Sequence, residues 1–92
     1  MDEVKWCLDF SYAETSRRWQ DGAVVFHPLS GDTFELNGLA DHLLCCLDGQ
    51  HPQTTESLIG QAAALYVEVE ELPRLVGDTL HSLQECQLVR AL

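Results

Sequence analysis

Apolar residues alternate with polar ones near the start of the chain and recur at helical spacing in its second half, and that change of period sets the expected order of elements. In Val4-Lys5-Trp6-Cys7-Leu8-Asp9-Phe10 the residues Val4, Trp6, Leu8 and Phe10 alternate with Lys5, Cys7 and Asp9, which predicts a half-buried extended segment. Residues 1–14 therefore read as an extended arm laid on the core. Next, Ser16-Arg17-Arg18-Trp19 and Ala23-Val24-Val25-Phe26 flank Asp21-Gly22, a dipeptide suited to the positive φ angles of a tight hairpin. Val24 and Phe26 share one face of their strand. Beyond a turn from Pro28 to Asp32, Phe34 and Leu36 share one face of the next, and these four side chains are expected to roof the core. Thr33-Phe34-Glu35-Leu36 is the last strand before the chain turns helical and is a candidate sheet edge.

Asn37 is a good helix N-cap, Ala40, Leu43, Leu44 and Leu47 follow at i, i+3, i+4 and i+7, and Gly49 stands where a left-handed cap is favoured. His51-Pro52 reads as a linker. Thr54 or Thr55 caps a second helix with Glu56 in its first turn and a stripe of Leu58, Ile59, Ala62, Leu65 and Tyr66. A third helix is predicted from about Glu70, with Pro73 tolerable in its first turn. Its stripe is Leu72, Leu75, Val76, Thr79, Leu80, Leu83 and Cys86, and Leu88 to Leu92 form an apolar tail that packs back. Three antiparallel strands followed by three helices make an α+β domain of winged-helix-like order.

The chain has 92 residues, enough for one modest core. Hydrophobic residues at 46% and charged residues at 22% are an ordinary globular balance, so the chain should fold. Fifteen Asp and Glu against five Lys and Arg give a net charge of −10. Nucleic-acid binders carry basic footprints, and here only Arg17 and Arg18 cluster, so DNA and RNA are not expected partners. No apolar run approaches the roughly 20 residues of a membrane span, and no signal peptide is visible, so no membrane partner and a cytoplasmic location are expected. Cys7, Cys45, Cys46 and Cys86 then read as reduced thiols.

Candidate chemistry is sparse. His42 and Cys46 stand at i, i+4, a spacing that can set two metal ligands side by side, but two ligands do not make a zinc site and no CxxC pair exists. His27, His42, His51 and His81 are scattered and belong to no nucleophile or metal motif. No metal, no cofactor and no catalytic residue are expected. Trp6 and Trp19 read as large core-edge residues whose indole N–H reaches a partner or solvent.

Taken together, Val24-Val25-Phe26, Ser30-Gly31-Asp32-Thr33, Leu36-Asn37, Ala40, Leu43-Leu44 and the closing Ser82-Leu83-Gln84-Glu85-Cys86-Gln87-Leu88-Val89 resemble the PqqD-like family of peptide chaperones. With Trp6 and Trp19 added, the chain is most similar to the small members found beside a kinase related to HPr kinase. The resemblance covers nearly the whole chain, with Cys86-Gln87 standing where relatives tend to carry a glycine-containing turn. It implies a RiPP recognition element, which captures the leader of a ribosomally made precursor peptide and presents it to a modifying enzyme, with no cofactor. It further implies that the leader adds as a strand beside the third strand, its side chains over the third helix. On this sequence those positions are Thr33, Phe34, Glu35 and Leu36, with Leu72, Leu75, Val76, Thr79, Leu80 and Leu83 on the helix.

Elementary physics gives its own reason for that site, since an exposed strand edge presents unpaired backbone groups that a protein either covers or uses. The arm or a dimer mate is the competing cover, and both a monomer and a homodimer stay open. The stripe from Leu72 to Cys86 is broad enough to serve a core and a groove. Leu75 and Leu83 are expected to be mostly core, and Leu72, Val76 and Thr79 to face the groove. Two other functions fit the same elements: a winged-helix DNA-binding regulator, or a structural subunit of a kinase-like enzyme. The first predicts a basic recognition helix, whereas the segment from Glu70 to Cys86 holds Glu70, Glu71, Asp78 and Glu85 against Arg74 alone.

Overall fold

Backbone pairing divides the chain into two small antiparallel sheets, and the second of them changes what the N-terminal arm does. A computed structural model describes residues 4–49, 51–66 and 68–92; the first three residues of the expected arm lie outside them. Strand β1 (Lys5–Cys7) lies between β5 (Gln53–Thr54) and β6 (Arg90–Ala91), in the order β5-β1-β6. Both of its sides are thus taken, and the arm does not run along Thr33 to Leu36. Trp6 explains the placement: it is buried, its Nε1–H donates to Thr55 Oγ1 at 2.8 Å, and its ring meets His81 edge-on. The extended stretch also ends sooner than expected. Ser11 caps a four-residue helix α1 (Tyr12–Thr15) by accepting from the Glu14 N–H, while the Asp48 carboxylate accepts from the N–H groups of Tyr12 and Ala13.

The other sheet runs β2 (Ser16–Trp19), β3 (Gly22–Phe26) and β4 (Thr33–Asn37), in that order. Two expectations are corrected here. Trp19 pairs with Gly22, so the hairpin loop is Gln20-Asp21, and neither residue takes positive φ. Gly22 serves a different need, because a Cβ there would overlap the carbonyl oxygen of Leu36 on β4. The face of β3 is also the opposite of that predicted: Ala23 and Val25 are fully buried, Val24 is half-buried and Phe26 is 48% exposed. The register sets Ala23 opposite Leu36 and Val25 opposite Phe34, and these four face the helices. With a side-chain period of two, one step of parity moves a whole strand from core to solvent, and a run apolar at every position holds no signal to choose.

Helix α2 (Gly38–Leu47) follows β4 directly, its first turn capped by Asn37 Oδ1, which accepts from the Ala40 N–H at 2.8 Å. Leu43, Leu44 and Leu47 are buried, and Gly49 takes φ 68° past the helix end. Thr54 caps α3 (Thr55–Ala63), whose Leu58 and Ala62 are buried, while Leu65 lies beyond the helix and is exposed. Helix α4 (Leu72–Glu85) starts at Leu72 rather than Glu70, with Pro73 in its first turn. It ends on Gln87, a non-glycine at φ 63°, with the Leu88 N–H donating to the Leu83 carbonyl at 2.9 Å. This is a left-handed helix end built without glycine. Leu88 and Val89 are then buried, as expected of the tail, and the Arg90 guanidinium forks onto the Asp9 carboxylate.

Candidate functional site

The outer edge of β4 leaves backbone groups without a ladder, as does β2 at the opposite edge of the same sheet, but β4 lies beside a groove. Among the described residues β4 pairs with β3 and with nothing else. Two contacts show which of its groups point away. The His27 N–H donates to the Asp32 carbonyl at 2.8 Å, just beyond the ladder, and the Leu36 carbonyl lies against Gly22 of β3. Alternation along an antiparallel ladder then directs the C=O of Asp32 and both backbone groups of Phe34 and Leu36 at β3, and those of Thr33 and Glu35 outward; the Asp32 N–H donates instead to Ser30 Oγ at 3.2 Å within the turn. Among the described residues, the backbone groups of Thr33 and Glu35 have no partner strand.

Beside that edge runs a groove of about 330 Å³ between β4 and α4. Phe34, Leu36, Ala40, Leu83 and Leu88 supply apolar surface, Glu35, Asn37, Thr79, Ser82 and Cys86 line it further, and Leu75 and Asp78 stand on the helical wall. Of the positions that the resemblance implies, Phe34, Glu35, Leu36, Leu75, Thr79 and Leu83 meet along this groove, and Thr33 lies at the exposed end of the same strand. Leu72, Val76 and Leu80 do not reach it; they are buried at 4%, 0% and 0% exposure. The expectation for Leu72 and Val76 as groove positions is therefore corrected, as is that for Leu75 as core, which is 43% exposed. About 100° separates successive helical residues. The seam against the other helices runs through Leu72, Val76, Leu80 and Leu83, and that rotates Leu75 and Thr79 toward β4.

Sequence reasoning missed Asn37, Ala40, Asp78, Ser82, Cys86 and Leu88 as lining residues. Asp78, Ser82 and Cys86 follow Leu75 and Thr79 at three and four residues, so the helical period could have found them once the seam was known. His27 does not line this groove, and its structural role escaped the sequence because its far partner is remote in the chain. It is 4% exposed, its Nδ1 accepts from the Leu29 N–H at 3.1 Å, and its Nε2 donates to the Gln87 carbonyl at 2.8 Å. The ring thereby ties the β3–β4 turn to the end of α4, and that tie spans 60 residues of sequence.

The scaffold under the sheet is polar at one point. Tyr12 Oη donates to Asp41 Oδ1 at 2.6 Å, and Arg18 reaches Asp41 Oδ2 at 2.9 Å, joining α1, β2 and α2. Burial, with the Asp41 carboxylate beside it, pushes the Tyr12 hydroxyl far up from its ordinary range. Burial also pushes the Cys45 and Cys46 thiols up, away from the thiolate that attacks electrophiles or binds metals. His42 Nε2 lies 3.5 Å from Cys46 Sγ, and among the described residues no three His, Cys, Asp or Glu side chains gather at one point.

Fold and groove together define a small α+β domain with a sheet edge open beside a helix. No protein-family model matches the sequence, and no curated protein matches it. Among solved structures the chain is similar to TbiB1 in complex with the TbiA(beta) leader peptide, at a TM-score of 0.65 and 22% identity, over 98% of this chain and 92% of that one. At that identity the likeness establishes the fold.

Proposed function

We propose that this protein is a non-catalytic peptide chaperone of the RiPP recognition type. It takes the leader of a precursor peptide as a fourth strand on β4 and presents it to a modifying enzyme, one related to HPr kinase by the resemblance of the sequence. The observation that carries the reading is the unpaired outer edge of β4 lying along an apolar groove. Main-chain bonds to Thr33 and Glu35 supply affinity, and alternate peptide side chains enter the groove between Leu36 and Leu83, the usual division of labour in strand addition. The fold it shares with TbiB1, whose structure holds a leader peptide, supports the same reading. A DNA-binding role finds no support, because α4 carries Asp78 and Glu85 against Arg74 and a polyanion meets no basic surface there.

Selection of a random displayed peptide library on the full chain, repeated on the Leu75→Asp and Thr79→Arg variants, tests the reading. Enrichment of peptides that bind the wild type and bind each variant at least about tenfold more weakly, a loss of about 1.4 kcal/mol, is the expected result. Absence of any enrichment, or selected peptides indifferent to both substitutions, overturns it.

A further inference from the structure

The charged residues that line the groove have one sign. Glu35 borders it on β4 and Asp78 on α4, and among the described residues no Lys or Arg lines it. Glu35 makes no ion pair among the described residues. Its side chain points to the outer face of the sheet, in one cross-strand row with Val24 and then Arg17. Arg17 thus stands two strands away, roughly 10 Å. Asp78 has Arg74 at 3.9 Å, but that guanidinium is shared with Glu71 at the same distance and is largely exposed, so it neutralises at most one of the two carboxylates. The whole chain adds a charge of −10.

Resting on the strand-addition reading, we infer that the peptide this groove selects is basic: Lys or Arg opposite Glu35 on the outer face, apolar side chains at the flanking positions that turn in toward Leu36 and Leu83, and a long cation reaching Asp78. A strand laid on β4 has side chains on both faces. Its outward residue beside Glu35 meets an uncompensated carboxylate across the new ladder, where an opposite charge stabilises and a like charge destabilises. Its inward residues meet hydrocarbon. An acidic strand meets repulsion at Glu35, at Asp78 and from the chain as a whole, which slows encounter as well as weakening the complex.

The composition of the library-selected peptides tests this apart from the test of binding itself. Selection at about 50 mM salt is expected to enrich Lys and Arg, and replacing one such cation by Gln should weaken binding about 2- to 5-fold. At about 0.5 M salt, where screening is short-ranged, that difference should shrink. In the Glu35→Gln, Asp78→Asn double variant the basic bias should disappear. It should persist in a Glu14→Gln, Glu56→Gln variant of equal net charge, whose changed side chains are exposed and do not line the groove. Binders without basic bias, or a bias untouched by the groove variant, overturn this inference while leaving strand addition in place. No binders at all overturn the strand-addition reading as well.

Discussion

Gly22 of β3 lies so close to the Leu36 carbonyl of β4 that a side-chain carbon would overlap it. The atom it would strike is backbone, so the two strands must separate to make room. The position is fixed by contact and not by turn geometry, since Gly22 is not at positive φ. Gly22→Ala should therefore destabilise the domain by about 1–3 kcal/mol, the usual cost of overpacking, and should weaken peptide binding by displacing β4. Urea midpoints and peptide titration of the variant check both effects.

The leucine seam gives a second prediction. Leu43 and Leu80 are fully buried, and truncating either to alanine should cost about 2–5 kcal/mol. A small domain has about 5–15 kcal/mol in all, so the shift in denaturant midpoint will be large. An unchanged midpoint in either variant would show that these helix faces are wrongly oriented.

Neighbouring residues on α4 should behave in opposite ways. Val76 is fully buried, and Val76→Asp places an unpaired charge in the core, which should unfold the domain at a cost of about 4 kcal/mol or more. Leu75→Asp and Thr79→Arg change groove positions and should leave the unfolding midpoint nearly unchanged while weakening peptide binding. Circular dichroism melts beside titration separate the two kinds of variant.

Tyr12 predicts a pH dependence. Burial and the Asp41 carboxylate raise its hydroxyl from an ordinary 10.0, so the folded chain keeps the proton after the unfolded chain has lost it. The stability contributed by this group is complete below about pH 10 and falls as pH rises beyond it. Tyr12→Phe should cost about 1–3 kcal/mol at neutral pH, because Asp41 loses a buried partner. The gap between wild type and variant should then narrow from about pH 10 upward. Urea midpoints of both proteins across that range measure it.

Where the sequence carried a local signal, the fold was legible. Asn37, the 3.6-residue spacing of Ala40 to Leu47, and Gly49 together set the ends and the buried face of α2. The strand from Thr33 and the packing back of Leu88 and Val89 were legible for the same reason. The two-residue strands β5 and β6 were not, because they exist only by pairing with β1. Nor was the face of β3, since Ala23-Val24-Val25-Phe26 is apolar in both parities. On α4 the stripe from Leu72 to Cys86 was too wide to show its own seam. Packing against α2 and α3 chose it, sending Val76 inward and leaving Leu75 at the groove.

If a peptide pairs with the outward backbone groups of Thr33 and Glu35, N-methylation of a library-selected peptide, one residue at a time, reads out that pairing bond by bond. Only alternate peptide N–H groups can face β4. Strand addition gives an alternating pattern: methylation at inward-facing positions costs about 1–3 kcal/mol each, as a carbonyl of Thr33 or Glu35 loses its donor, while methylation between them is nearly neutral. A uniform loss along the peptide, or none, would contradict strand addition at this edge.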